Sequence, residues 1–169
     1  MAIKLILLRG NSGSGKSTVA KALQYELGYG TMCIPQDVVR REILRCKDVN
    51  GNPSMSLIDM MVRFGWKNNF TVILEGILPT KKYEPMLRSL IADCPGEMLV
   101  YYFTIPFEET LRRHFTKPNA HEFGEKEMRE WWYDDDRLRI DGEICIDESL
   151  SQQQIVAMIS QSVRATEEQ

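Results

Sequence analysis

Apolar residues fall into two rhythms along this chain. Short, nearly continuous apolar runs occur at Ile3-Lys4-Leu5-Ile6-Leu7-Leu8 and Val72-Ile73-Leu74, as expected of strands covered on both faces. Elsewhere apolar positions recur at helical spacing, as in Val19, Ala20, Leu23 and Leu27, with Gly28 as a stop. The pattern predicts strands over 3–9, 32–35, 71–75, 98–104 and 143–146. It predicts helices over 16–27, 38–47, 57–66, 83–92, 107–116 and 152–164. Strands that alternate with helices imply a parallel sheet, because parallel neighbours need crossover connections. The expected fold class is therefore α/β, a doubly wound parallel sheet. Asn50-Gly51-Asn52-Pro53-Ser54 reads as a loop.

One segment departs from both rhythms. Residues 117–143 are dense in charge, with a short helix expected over 125–133 that carries Met128, Trp131 and Trp132 on one side. A charged, weakly apolar insertion late in a small α/β chain reads either as a helical lid or as a surface helix that docks its Trp pair on the core. The two readings are compatible.

Length and composition narrow the possibilities. With 169 residues the chain suits one domain with a single core, and its formal charge of −3 provides no global attraction to nucleic acid or anionic membrane. Cys33, Cys46, Cys94 and Cys145 form no C-x-x-C pair, which points to reduced thiols and to neither a zinc ribbon nor a dithiol site. His114 and His121 have no metal-ligand spacing. The first strand begins almost at the N-terminus and no apolar run approaches ~18 residues. A soluble, cytoplasmic protein without a membrane partner is expected.

Chemistry enters between the first strand and the first helix. Gly10-Asn11-Ser12-Gly13-Ser14-Gly15-Lys16-Ser17 fits G-x-x-x-x-G-K-[ST], the phosphate-binding loop (P-loop, Walker A), in the strand-to-helix context that loop requires. Small residues let successive backbone N–H groups turn toward phosphates, Lys16 offers a cation to the β/γ oxygens, and Ser17 offers a hydroxyl to magnesium. The expected ligands are ATP and Mg²⁺, with Thr18 closing the nucleotide-binding run. In a parallel sheet, residues just past the carboxyl ends of the strands share one edge. Asp37 follows the second strand there and Glu75 ends the third. Asp37 is placed either to cap a helix or to accept the proton of an attacking hydroxyl. Arg40, one turn later, is a candidate for an anionic group of the acceptor. Glu75 reads as a water-mediated magnesium partner, an acceptor contact, or a satisfied strand-end carboxylate. Arg112 and Arg113 lead into the charged segment, where they can neutralise a transferring phosphoryl group, stack on a base, or pair with Glu108 or Glu109.

With these motifs assembled, the chain resembles the small P-loop kinases of the zeta-toxin, chloramphenicol phosphotransferase and polynucleotide kinase type. Asp37-Val38-Val39-Arg40 is similar to the Asp-x-x-Arg of polynucleotide kinases, where the Asp acts as base toward the acceptor hydroxyl. The resemblance implies a nucleoside-monophosphate-kinase-like P-loop NTPase fold with a helical lid. It also implies transfer of a phosphoryl group from ATP to a hydroxyl, with Lys16, Asp37 and Arg113 as catalytic residues and Arg112 on the nucleotide. A small-molecule acceptor is the favoured expectation; a 5′-hydroxyl polynucleotide kinase and a non-kinase P-loop ATPase switch are the alternatives. Two departures stand out. Lys117 occupies the place of a second lid arginine, so that Arg129 or Arg137 is left as another source of that cation, and Trp131-Trp132 and Asp134-Asp135-Asp136 have no counterpart in the resemblance.

Overall fold

Leu5 and Leu7 of strand β1 (Ile3–Gly10) pack to one side, Ile6 and Leu8 to the other, and all four are buried. That two-sided burial is what the unbroken apolar run requires of a central strand. The computed structural model describes residues 2–116, 121 and 123–167. β2 (Thr31–Pro35), β3 (Thr71–Gly76), β4 (Glu97–Phe103) and β5 (Glu143–Ile146) complete a sheet of order β2-β3-β1-β4-β5, with every neighbouring pair parallel. This is the doubly wound parallel sheet that the alternation predicts.

Two cores flank the sheet. On one face Val19, Ala20 and Leu23 of α1 (Lys16–Leu27) and Ile155, Ile159 and Val163 of α7 (Gln152–Glu167) cover Ile6, Leu8, Ile73 and Phe103. On the other, Ile58 and Val62 of α3 (Ser54–Lys67) and Tyr83, Leu87 and Leu90 of α4 (Thr80–Ala92) cover Leu5, Leu7, Ile34 and Leu74. α3 and α4 begin three residues earlier than periodicity predicts, since their first turns are polar. The Asn52 side-chain oxygen receives the Ser54 N–H at 3.1 Å.

Two expected helices are shorter than predicted. The stretch 38–47 is a brief α2 (Gln36–Val38) that passes directly into a π-helical turn over Val39–Ile43, after which Arg45 adopts a left-handed φ of 50° and ends the helix. α5 (Phe107–Phe115) precedes the charged segment, whose helix α6 covers only Glu125–Glu130. Trp131 and Trp132 lie beyond α6. Trp132 meets Phe107 edge-on at 5.1 Å, and Trp131, half exposed, leans on Phe123 at 5.2 Å. Met128 alone of the three is in the interior. All four cysteines are free, and no helix among the described residues is long and apolar enough to cross a membrane.

Leu74, fully buried on β3, is a direct probe of the second core. Leu74→Ala is expected to cost about 2–5 kcal/mol, read as a lower denaturant midpoint at unchanged slope.

Candidate active site

The phosphate loop is shaped by close approach. Gly10, Gly13 and Gly15 have φ of 150°, 78° and 96°, and a Cβ on Gly13 would lie 2.6 Å from the Thr110 carbonyl oxygen of α5. Only glycine fits both that backbone conformation and that gap. The loop ends where α1 begins, so its N–H groups and the positive end of the helix dipole face the same space, a ready site for phosphate. Lys16 is 6% exposed, and its Nζ donates to the Asn11 carbonyl at 3.0 Å.

Strand register brings the carboxylates to this loop. Glu75 pairs with Leu8 of β1 on one side and Pro35 of β2 on the other, which sets the end of β3 level with the loop and with the start of α2. Glu75 is 3% exposed and its carboxylate is hydrogen-bonded to the Ser17 hydroxyl. Burial pushes the Glu75 carboxyl above its ordinary range; Lys16 and the Ser17 hydrogen bond pull it back in part, and the charge of Asp37 pushes it up. Lys16, Ser17 and Asp37 thus all act on the Glu75 carboxyl. Ser17 and Glu75 at the phosphate loop are hard oxygen groups of the kind that could hold Mg²⁺, which takes few protein ligands and keeps its waters.

Asp37 lies in the first turn of α2, where the cap position belongs to Pro35 and no side chain caps the helix. The capping alternative is thereby removed. Its carboxylate is 57% exposed and is held by Arg40 Nη2 at 2.7 Å and Arg41 Nη1 at 3.2 Å. Both pairs have ordinary helical spacing: residues three and four positions on lie on the face of Asp37. Arg40 Nη1 also donates to the Cys46 carbonyl at 3.4 Å, which ties the following loop to the site. Arg41 forms an exposed ion pair and shares the carboxylate with Arg40.

The α5 arginines divide. Arg113 Nη1 donates to the Ser14 carbonyl at 3.1 Å and its Nε to Glu109 at 2.6 Å, so it lies directly on the phosphate loop. Arg112 is 69% exposed and paired with Glu109 at 2.7 Å. A cavity of about 310 Å³ opens beside the loop between Gly15, Thr18, Arg113, Phe103, Leu150 and Ile155, with a polar side toward the loop and an apolar wall fit for a base. A second cavity, of about 350 Å³, lies at the opposite end of the sheet around Lys4, Tyr29 and Asn69 and contains none of the motif residues. Of the cations in the charged segment, Arg129 stacks over the Phe107 ring at 4.1 Å. Arg137 is engaged by Asp135 and Lys117 lies outside the described residues.

Arg9, Gln36, Asn52 and Tyr83 escaped the sequence reading. Tyr83 Oη receives Gln36 Nε2 at 3.0 Å and lies 3.4 Å from Asn52 Nδ2, all buried, beneath the wall behind Asp37. The available signal was an arginine ending an apolar strand and a tyrosine on the apolar stripe of α4.

No protein-family model matches the sequence, and comparison with curated proteins finds no match. Solved structures do match. An APS kinase of Mycobacterium tuberculosis in complex with AMPPNP and APS superposes with a TM-score of 0.69 at 17% identity, over 95% of this chain and 96% of that one. A gluconokinase from Sinorhizobium meliloti 1021 gives 0.68 at 18% identity, over 95% and 93%. A sugar kinase from Janibacter sp. HTCC2649 gives 0.65 at 17% identity, over 97% and 95%. The chain has the fold of P-loop kinases. At that level the sequence resemblance holds.

Glu75 yields a pH prediction. Its folded-state carboxyl titrates above the ordinary value of 4.5, so the protonated form is favoured by folding, and that contribution is lost as pH rises through the folded-state value. Glu75→Gln, which keeps size and an acceptor for Ser17, is expected to raise the melting temperature of the nucleotide-free protein at neutral pH. The gain should shrink to nothing as pH falls toward 4.5. Thermal melts across that range check it; a loss of stability at neutral pH would contradict it.

Proposed function

We propose that this protein is an ATP- and Mg²⁺-dependent phosphotransferase that phosphorylates a hydroxyl of a small-molecule acceptor, acting as a single-domain cytoplasmic enzyme. The observation that carries the reading is the convergence of Lys16, Ser17, Glu75 and Asp37 on one sheet edge next to the glycine loop. The likeness to structures named as APS kinase, gluconokinase and sugar kinase supports it at the level of fold.

In this reading the triphosphate lies on the loop from Gly10 to Thr18, with its base in the cavity by Leu150 and Ile155. Lys16 bridges the β and γ phosphates, and Arg113, already on the Ser14 carbonyl, turns to the phosphates and stabilises the charge on the γ-phosphoryl group. Arg112 supports the nucleotide from the outer face of α5. Ser17 and Glu75 would hold Mg²⁺, which would supply charge neutralisation to the triphosphate. The acceptor enters from the β2 side. Asp37 receives the proton of its hydroxyl while the oxygen forms a bond to the γ-phosphorus and the bond to the β-phosphate oxygen breaks, leaving ADP. Arg40 holds an anionic group of the acceptor and, with Arg41, keeps the Asp37 carboxylate aimed. The finer kinship with zeta-toxin, chloramphenicol phosphotransferase or polynucleotide kinase is part of the proposal, as is closure by residues from α6 over the nucleotide.

Labelled phosphate transfer from ATP to a panel of antibiotics, nucleosides, sugars and sugar acids, with a 5′-hydroxyl oligonucleotide alongside, is the deciding assay. Transfer to a small molecule is expected, and Lys16→Ala should abolish nearly all of it while the fold survives. Transfer to the oligonucleotide alone would favour the polynucleotide reading, and ATP turnover indifferent to every acceptor would favour a switch.

Asp37→Asn separates base from scaffold. Its ion pairs are exposed and worth little to stability, so the variant should fold and bind ATP normally yet transfer phosphate ~10²–10⁴-fold more slowly. Undiminished transfer would move the base to Glu75.

A further inference from the structure

β1 ends on a side chain that the apolar pattern does not explain. Arg9 is fully shielded from solvent, and a buried guanidinium persists only where its donors are met. They are met by two segments far away in sequence. Nε and Nη2 donate to the Leu78 carbonyl at 3.2 and 2.9 Å, Nη1 to the Asp136 carbonyl at 2.9 Å, and Nη2 to Asp136 Oδ2 at 2.8 Å. The Tyr102 ring lies 5.6 Å from the guanidinium carbon. Asp136 is engaged just as fully: Oδ2 also accepts the Thr80 N–H at 3.0 Å, Oδ1 accepts the Thr80 hydroxyl, and its own N–H donates to Tyr102 Oη at 3.1 Å.

The positions of these segments give the network its meaning. Arg9 immediately precedes Gly10, the first residue of the phosphate loop. Leu78 and Thr80 lie on the chain that leaves Glu75 for α4. Asp136 lies on the chain returning from α6, and three residues earlier that chain is fastened to the loop itself. Asn11 Nδ2 donates to the Tyr133 carbonyl at 2.8 Å, and the Tyr133 N–H donates to Asn11 Oδ1 at 3.0 Å. Hydrogen bonds to a charged group in a water-poor interior are strong and mutually reinforcing.

We propose that Arg9 and Asp136 are positioning residues for the phosphate loop. Together with the Asn11 clasp on Tyr133, they hold the loop, the chain after Glu75 and the chain returning from α6 in one fixed arrangement. What moves when nucleotide binds lies on the α6 side of Tyr133, and residues 133–139 are a static strut. The proposal rests on the nucleotide-binding reading given above. It assigns the acidic run three separate tasks: Asp136 holds Arg9, Asp135 holds Arg137 and Arg139, and Asp134 receives the Trp132 indole N–H at 2.8 Å.

A pair that merely stabilises the fold is told apart from one that positions the loop by replacing both partners at once. Exchanging a buried ion pair for apolar side chains of similar volume is often neutral for stability. Arg9→Met/Asp136→Leu also strips the Leu78 and Asp136 carbonyls and Thr80 of partners, so it should melt below wild type and is assayed at a temperature where it is folded. Its affinity for AMPPNP with Mg²⁺, by calorimetry, is expected to fall about 10–100-fold, as is common when outer-shell partners of a site are removed. Wild-type affinity in the folded double variant would overturn the proposal. Hydrogen exchange on the unmodified protein supplies a readout that needs no variant to fold. Residues 133–139 should exchange as slowly as β5 without nucleotide and change little when AMPPNP and Mg²⁺ are added, whereas residues 123–131 gain protection. Fast exchange over 133–139 in the nucleotide-free protein, or protection appearing there only on binding, would overturn the strut. A wild-type protein that fails to bind AMPPNP at all would instead sink the nucleotide reading, a result distinct from equal binding by wild type and variant.

Discussion

The alignment of β1 with β3 is the constraint on which the rest of the site depends. Leu8 opposite Glu75 and Arg9 opposite Gly76 place a carboxylate level with the first turn of the phosphate loop. A slip of one residue would exchange the faces of the strand. Glu75 would leave Ser17 and Lys16, and the apolar pairs that cover Ile73 and Leu74 would be lost with it. Because both faces of the sheet are buried, the cost of such a slip falls on both cores at once. Register, and with it the site, is secured by packing far from the chemistry.

Water exclusion then sets the character of the polar groups. Lys16, Glu75 and Arg9 are all nearly or wholly removed from solvent at the carboxyl edge, and each is held by partners that few other positions can supply. Asp37 lies at the other extreme, exposed and shared by Arg40 and Arg41. The contrast matches the division of labour proposed for them. Groups that receive a triphosphate and magnesium gain from a preformed, dry setting, while a carboxylate that meets an incoming acceptor has to be reachable.

Much of this was legible in the sequence. All five strands fall within one residue of their expected ends, because continuous apolar runs admit little else. The loop from Gly10 to Ser17 and the edge positions of Asp37 and Glu75 follow from the same pattern. The stretch after β2 did not, since Val38 to Lys47 carries helical spacing but is wound as a π turn that no periodicity reveals. Trp131 and Trp132 were placed on a helix that ends at Glu130; their anchors, Phe123 and Phe107, belong to other parts of the chain. Arg9 was hidden for the same reason. Its partners are separated from it by 69 and 127 positions, and only the folded chain brings them together.

The two cores also have separate clients. The α1 and α7 side backs the phosphate loop and the cavity suited to a base, whereas α3 and α4, with Gln36, Asn52 and Tyr83, back the wall behind Asp37. The sheet stands between them as a partition. Two residues cross it: Leu78 and Thr80, at the head of α4, hold Arg9 and Asp136, so the α4 side also reaches the phosphate loop. Packing changes under α3 therefore bear on the wall behind Asp37, while changes at the head of α4 are felt in both halves of the site.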